Sequence, residues 1–157
     1  MGITDFDESL PIDFVFGSNE LGLHGGGAAR VAREQYGARY ERKGGPGQGF
    51  GPQGNSFGIP TCSKPTGEPD FEIEFEKLAY YVECFKLWAR LQVGRRQFKV
   101  TQIGCGLAGW TAEQVAPLFA DAPDNCYFDT AWHSILGSFA GVYGDDSRPR
   151  KYWGHVA

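Results

Sequence analysis

Residues 12–36, IDFVFGSNELGLHGGGAARVAREQY, place a strand, a glycine-rich loop and a helix in immediate succession. Residues 12–17 are a short run of apolar, β-favouring side chains that ends in glycine, which predicts a buried strand. Residues 27–36 carry alanines and Val31 on one face and charged side chains on the other. With Gly37 as a stop signal, this pattern predicts a helix. A strand that leads through glycines into a helix is the building unit of α/β folds.

The same succession recurs in residues 97–120. QFKVTQI, residues 97–103, predicts a strand, and GCGLAGW, residues 104–110, predicts a loop. Thr111 is the expected N-cap of a helix that runs through Ala120 and is kinked by an internal proline. Two such units in one chain indicate strands that lie side by side in a largely parallel sheet.

The remaining segments complete the predicted order of elements. Residues 56–61 and 125–129 predict further strands, the second of them being the last in the chain. A helix is predicted over residues 71–92, with Asp70 as its N-cap and its aromatic side chains in the core. The glycine- and proline-rich residues 42–55 predict loop only. This order predicts an α/β fold, a three-layer α/β/α sandwich with a mixed, largely parallel sheet.

Length and charge narrow the class of protein. At 157 residues we expect a single domain, and the net charge of −4 disfavours duplex nucleic acid and anionic membranes as partners. Residues 1–13 carry no leader-like pattern and no apolar run approaches the ~20 residues of a membrane span, so a cytoplasmic protein is expected. Residues 133–157 are expected to be a C-terminal extension to which no role is assigned. Its basic end, RPRK at residues 148–151, is interpreted as a solvated tail, with a contact to nucleic acid as the alternative.

The cysteines and the common nucleotide motifs exclude other classes. Cys62, Cys84, Cys105 and Cys126 form no CxxC pair, so neither a metal site nor a metal cofactor is predicted, and buried thiols are expected. No GxxxxGK[ST] run is present, which excludes a P-loop NTPase. Residues 104–109 match the dinucleotide fingerprint GxGxxG, but too few strands are predicted after them for a dinucleotide-binding unit.

The two glycine loops are the predicted site. Residues 22–29, GLHGGGAA, and residues 104–109, GCGLAG, each follow a strand and open a helix. Ligands of open α/β sheets bind at the carboxyl ends of the strands, and free N–H groups at a helix N-terminus bind anions. Two such loops at one edge predict a ligand with a diphosphate held between them. The alternative is a pair of tight turns that need glycine for packing.

Both loops resemble those of macro domains. SNELGLHGGGAA, residues 18–29, is similar to the first ligand loop of that family, and TQIGCGLAGW, residues 101–110, to its phosphate-holding loop. Residues 47–61, GQGFGPQGNSFGIPT, resemble a branch of small macro-like proteins, many from bacteria and their phages. The resemblance covers residues 12–132 and implies a cleft for ADP-ribose or a related nucleotide.

The resemblance also assigns roles to individual residues. Asn19 would hydrogen-bond the distal ribose, and Trp110 would flank it. The backbone that approaches this ribose would belong to Gly25, Gly26, Gly27 and Ala28. The backbone that holds the diphosphate would belong to Gly104, Cys105, Gly106, Leu107, Ala108 and Gly109. The Gly-Asp-Ile-Thr-like run that holds adenine in macro domains has no counterpart here, and Asp5 and Asp13 are the carboxylates considered in its place.

Three side chains of the first loop are candidates for hydrolysis of an ADP-ribosyl linkage. Asn19 would orient a water, the diphosphate or His24 would activate it, and Glu20 is the nearest carboxylate that could act as a base. Each has a structural alternative, respectively an Asx turn, a space-filling loop histidine and a solvated acid. Cys105 lies where a thiol pKa can fall, but with no histidine to pair with, a small side chain in a tight turn is favoured.

Three functions fit these patterns. The first is a module that binds ADP-ribose or its derivative, free or on an ADP-ribosylated macromolecule, with or without hydrolysis. The second is a phage-type sequestering protein that holds a host nucleotide signal without catalysis. The third is an interaction module with no nucleotide ligand. Amide side chains in residues 42–55 (Gln48, Gln53 and Asn55) are expected to reach a bound ligand from a lid.

Overall fold

The computed structural model describes residues 3–39, 47–139 and 150–155. Its strands are β1 (Ile12–Asn19), β2 (Gly51–Gln53), β3 (Ser56–Cys62), β4 (Gln97–Val100), β5 (Cys126–Asp129) and β6 (Lys151–Gly154). Its helices are α1 (Gly27–Gln35), α2 (Phe75–Leu91), α3 (Ala112–Val115) and α4 (His133–Leu136), with 3₁₀ turns at Ala116–Phe119, Thr130–Trp132 and Gly137–Phe139. Within these ranges no helix combines the length and apolar composition that a membrane crossing requires.

The six strands form one mixed, mostly parallel sheet in the order β2-β3-β1-β4-β5-β6, which confirms the predicted α/β class. Only β2 runs antiparallel to its neighbour. In the centre, Phe14 of β1 is in register with Ser56 of β3, and Val15 with Val100 of β4. Parallel pairing of β3, β1, β4, β5 and β6 brings their carboxyl ends to one edge of the sheet.

Alternate side chains of β1 enter two separate apolar clusters. Phe14 and Phe16 pack with Ala29 and Ala32 of α1. Val15 belongs to the larger cluster with side chains of α2 and α3. Because successive side chains of a strand point to opposite faces, α1 lies on one face of the sheet and α2 and α3 on the other.

Helix α2 confirms the predicted long helix but begins later than expected. It starts at Phe75 with Glu74 as its N-cap residue, and its buried side chains include Val82 and Phe85. Asp70 is not the cap, since its φ of +57° lies in the left-handed region whereas an N-cap residue is extended.

The predicted third strand and third helix are both shorter than expected. β4 ends at Val100, after which the Thr101 N–H and hydroxyl both donate to the Val15 carbonyl, at 3.1 and 2.8 Å. Thr111 is the N-cap as predicted, but α3 ends at Val115 and a 3₁₀ turn continues the chain. Pro117 has no N–H with which to extend the α-helical ladder.

Two strands were missed. Residues 51–53 form β2, with Gly51 opposite Gly58 and Gln53 opposite Ser56, so the loop prediction for residues 42–55 is wrong there. Residues 42–46 lie outside the described ranges. The sequence signal was weak because β2 is a three-residue edge strand that contains a proline.

The last predicted strand, β5, is followed by β6, so part of the supposed extension belongs to the sheet. Phe128 is in register with Tyr152, which is buried. Arg150 donates to the Ala122 carbonyl at 2.6 Å, and Lys151 pairs with Asp124 at 3.1 Å. For these two basic residues the solvated-tail prediction is wrong.

Replacing Tyr152 with alanine is expected to lower the free energy of unfolding by about 3–5 kcal/mol, because it empties a buried aromatic site. The control is Lys151→Ala, which removes a partly exposed ion pair with Asp124 and is expected to cost less than about 1 kcal/mol. Urea unfolding measures both. Equal values for the two variants would show that β6 does not contribute to the core.

Candidate functional site

The two glycine loops leave the sheet at neighbouring strands and in opposite directions. From β1 the chain passes through α1 to β3 on one side, and from β4 it passes through α3 to β5 on the other. The carboxyl ends of β1 and β4 therefore form a topological switch point, where open α/β sheets bind their ligands.

Close backbone contacts join the second loop to the ends of β1 and β3. A Cβ added to Gly17 would lie 3.3 Å from the Gly104 nitrogen and 3.3 Å from Cγ2 of Thr61. The Trp110 indole N–H donates to the Thr61 carbonyl at 2.9 Å, and the Trp110 amide donates to the Gly104 carbonyl at 3.0 Å. These contacts fix where the loop starts and where it ends.

The loop glycines are of two kinds. Gly104 is required by the fold, because its φ is +73° and an added Cβ would lie 2.8 Å from Cδ1 of Trp110. Gly27 and Gly109 also have positive φ. By contrast, Gly25, Gly26 and Gly106 have no positive φ, and in the described part of the chain no atom lies within 4 Å of an added Cβ. Neither packing nor backbone geometry explains glycine at these three positions. Gly137, in a turn outside both loops, shares this property.

Both loops present free backbone donors. Gly26 is the N-cap residue of α1 and has no side chain to cap it. The first N–H groups of the helix, which include Gly27 and Ala28, make no hydrogen bond within the ranges that the structure describes. In the second loop, the N–H groups of Gly106, Leu107 and Ala108 make no hydrogen bond to the described residues. Consecutive free N–H groups form anion-binding concavities.

The N-terminus of α3 does not offer such a site. Thr111 and Gln114 form a capping box in which the Thr111 hydroxyl accepts from the Gln114 N–H at 3.2 Å. The Gln114 side chain accepts in return from the Thr111 N–H at 3.0 Å. In the second unit an anion would therefore meet loop backbone rather than a helix end.

Asn19 holds the first loop closed. Its amide nitrogen donates to the Leu23 carbonyl at 2.9 Å, and its amide oxygen accepts from the Leu23 N–H at 3.1 Å. The side chain is buried, with 5% of its residue surface exposed. This arrangement matches the structural role considered for Asn19 from the sequence, in which its side chain forms a turn that holds the loop.

Glu20 is tied to α2. Its carboxylate pairs with Lys77 at 2.6 Å and accepts a hydrogen bond from the Tyr81 hydroxyl. Burial acts to raise the pKa of Glu20, but the hydrogen bonds from Lys77 and Tyr81 and the Lys77 charge outweigh it and lower that pKa. A carboxylate with a lowered pKa and two donors is a weak general base.

His24 lies beneath the first loop and is not exposed. Its Nε2 lies 3.0 Å from the Gln48 carbonyl, and its ring packs edge-on against Phe16. Burial lowers the pKa of His24, so the neutral imidazole is favoured. Its Nδ1 is buried and has no hydrogen-bond partner among the residues that the structure describes. In this conformation His24 cannot reach a ligand at the surface.

Residues 47–53 form a strap over the β1–β3 end rather than a lid. The Gln53 side chain accepts from the Arg39 N–H at 2.7 Å and donates to the Gln48 carbonyl at 2.9 Å. The Ser18 hydroxyl donates to the Gly49 carbonyl, and an added Cβ at Gly49 would overlap the Asn19 carbonyl. These amides serve the fold rather than an open cleft.

The Cys105 thiol is not activated. Its Sγ lies 3.4 Å from the Ile103 carbonyl, and burial raises the pKa of the thiol to about 11. Cys62 and Cys126 are buried, whereas Cys84 and Cys105 are partly exposed, so the expectation of buried thiols is met by two of the four. In the described residues no three His, Cys, Asp or Glu side chains are grouped as a metal site.

A pocket of about 230 Å³ lies beside the second loop. It is lined by Thr61, Glu72, Ile73, Ala108, Gly109, Trp110 and Gln114. Typical small-molecule pockets measure about 300–1,000 Å³, so this pocket accepts one ring or sugar rather than a whole dinucleotide.

A buried acid at the same edge was missed. Asp129, at the end of β5, is 2% exposed, and its carboxylate accepts from the Ala131 N–H at 2.8 Å and the Gln102 amide at 3.2 Å. Its Oδ1 lies 2.8 Å from Nδ1 of His155, whose side chain is 47% exposed. The available signal was a polar residue ending an apolar strand. His155 lies outside the motifs on which the sequence analysis is based, so no signal in the sequence marked it as a site residue.

Asp5 and Asp13, the two carboxylates considered as adenine-binding residues, do not lie at the switch point. Asp13, near the start of β1, is buried and pairs with Arg96 at 2.9 Å, at the opposite end of the strand from the loops. Asp5 is exposed, and its neighbour Thr4 donates to the Tyr152 carbonyl of β6.

Comparison with protein-family models, with curated proteins and with solved structures found no match for this chain.

Gly104→Ala is expected to destabilise the protein by about 2 kcal/mol or more, since alanine at positive φ is strained and its Cβ would overlap Trp110. Gly106→Ala is the matched control, and its unfolding midpoint is expected to stay the same or rise slightly. Thermal unfolding distinguishes the two. If the unfolding midpoint falls equally in both variants, the distinction between Gly104, which the fold requires, and Gly106, which it does not, is wrong.

Glu20→Gln is expected to lower the free energy of unfolding by about 1–2 kcal/mol at pH 7, because the ion pair with Lys77 is lost. The folded-state pKa of Glu20 lies below the ordinary glutamate value of 4.5, so the stabilisation is present above pH 4.5 and is lost as the pH falls through the folded-state pKa. Urea unfolding across this pH range should show wild type and variant converging as pH falls. Lys77→Met should show the same pH dependence. If the difference in unfolding free energy between wild type and variant does not change with pH, the ion pair is not its source.

Proposed function

We propose that this protein binds ADP-ribose, or a nucleotide derived from it, at the switch point between β1 and β4, within a macro-like three-layer α/β/α fold. One observation carries the proposal: Gly25, Gly26 and Gly106 are glycines that the fold itself does not require. A Cβ-free backbone at these positions is useful to a ligand that approaches it closely. The helices on both faces of the sheet support the three-layer arrangement.

The diphosphate is the part of the ligand that the two loops share. The uncapped N-terminus of α1 carries partial positive charge and free N–H groups, which favour an anion. Gly106, Leu107 and Ala108 supply three further donors. These donors are all backbone groups, so the site does not depend on a lysine or arginine.

The pocket beside Trp110 takes a neutral end of the ligand. Its volume of about 230 Å³ suits a single sugar or base. The Glu72 carboxylate in its wall repels phosphate but can accept hydrogen bonds from sugar hydroxyls. The diphosphate would then lie outside the pocket, against the loops.

Binding without turnover is the form of this function that the side chains favour. Glu20 is held in an ion pair and His24 is buried. The Asn19 side-chain amide is already hydrogen-bonded to the Leu23 backbone. A sequestering protein needs no catalytic group and is the second candidate for that reason. If ADP-ribosyl hydrolysis is observed, the first residues to replace are His155 and Asp129, which form an acid–base pair at this edge of the sheet.

The test is thermal unfolding with ADP-ribose, with AMP and NAD as controls. A ligand at about 100 times its Kd adds ~2.7 kcal/mol, which raises the midpoint of a domain of this size by roughly 5–10 °C. Gly26→Val and Gly106→Val are expected to remain folded and to lose the shift, because each places a side chain on the ligand face. Gly137→Val, equally open but outside the loops, is the matched control and should keep it.

Chromatography of the nucleotide recovered from the complex separates binding from hydrolysis. Intact ADP-ribose together with a midpoint shift supports a binding protein. If Gly26→Val, Gly106→Val and Gly137→Val all keep the midpoint shift, the ligand binds away from the two loops. Wild-type protein without a shift for any of the three nucleotides would favour an interaction module without a nucleotide ligand.

A further inference from the structure

Helix α2 is apolar on two opposite faces. Its inner face is buried in the core and comprises Leu78, Val82, Phe85 and Ala89. Its outer face carries a second apolar row, which comprises Tyr80, Cys84, Leu87 and Leu91. The prediction that the aromatic residues of this helix lie in the core is therefore wrong for Tyr80. A helix at the surface of a monomer normally shows polar side chains on its outer face.

The outer row is well exposed. The exposed fractions are 64% for Tyr80, 54% for Leu87 and 71% for Leu91, and Val93 just beyond the helix adds an apolar side chain that is 55% exposed. The steps of four, three and four residues along the row are those of a coiled-coil seam, which needs a second helix to cover it.

The charges beside the row indicate which helix covers it. Glu83 and Arg90 lie seven residues apart on the same flank, with 53% and 41% of their side chains exposed. Within one chain, Glu83 pairs with Lys86 at 2.9 Å and Arg90 with Asp121 at 3.6 Å, and both side chains keep exposed surface on this flank. If two copies of α2 pair antiparallel about a two-fold axis, Glu83 of each copy faces Arg90 of the other. Parallel pairing would bring neither charge opposite its complement on this flank.

We infer that the outer face of α2 is a two-fold interface between two copies of this chain, with the helices antiparallel. In this arrangement Tyr80 of one copy packs against Leu91 of the other, and Cys84 against Leu87. Both copies contribute the same surface to the interface, as a two-fold dimer requires. The inference does not depend on the proposed nucleotide site.

Sedimentation equilibrium of the full chain tests the association. Wild type is expected to form a dimer that dissociates on dilution, and Leu87→Glu is expected to be monomeric because it buries a charge at the centre of the interface. Leu21→Glu is the matched control, since Leu21 is 52% exposed and lies in the first loop. It should keep the dimer. Circular dichroism confirms that both variants are folded.

Charge exchange tests the pairing of the flanks. Glu83→Arg alone is expected to weaken the dimer about tenfold, because arginine then faces arginine twice. Combining it with Arg90→Glu should restore the wild-type Kd. A double variant weaker than the single one would overturn the antiparallel arrangement.

Disulfide cross-linking tests the orientation directly. With Cys84 replaced by serine, a mixture of Tyr80→Cys and Leu91→Cys chains should form a mixed disulfide dimer. Leu91→Cys alone should not link to itself through this position. Self-linking of Leu91→Cys would show parallel helices. A monomeric wild type, or a Leu87→Glu variant that remains dimeric, would overturn the interface.

Discussion

The close approach of Gly17 in β1 to Gly104 after β4 determines the geometry of the candidate site. At this point the backbones of neighbouring units lie near enough that a Cβ on Gly17 would meet the Gly104 amide at 3.3 Å. The two loops diverge from here to opposite faces of the sheet, and Trp110 closes the second loop against β3. A larger side chain at either glycine would push the start of the second loop away from the end of β1.

The polar side chains of the first loop stabilise its shape. Asn19, Glu20 and His24 each bond to protein groups, and residues 47–53 cover the loop from the side of β3. The donors that remain available in the described residues are backbone N–H groups of the two loops. For the proposed nucleotide, loops already held by these contacts would lower the entropic cost of binding. The same contacts occupy the side chains that a reaction would need.

The sequence predicted the elements that carry a strong hydrophobic period and a clear stop. Residues 12–17, 27–36 and 56–61 became β1, α1 and β3, and the position of both glycine loops after parallel strands was correct. The edge strands β2 and β6 were missed because three or four residues with a proline or charges carry little periodic signal.

Side-chain roles were harder to predict than elements because the partners are distant in sequence. Glu20 is held by Lys77 and Tyr81, and His24 by Gln48, all on segments that meet only in the folded chain. The same limit applies to Asp129 and His155. The outer row of α2 has the same helical period as a core face, so periodicity alone could not reveal that it is exposed.

The central position of β1 constrains the order in which the sheet is built. The first strand of the chain is flanked by β3 and β4, and Val15 bonds to Thr101, 86 residues further on. Contacts between such distant residues slow folding, because the intervening chain must be closed into a loop before they form. During synthesis, β1 remains without one of its two neighbours until β4 has emerged from the ribosome. The switch-point edge is therefore completed late, when most of the chain is already present.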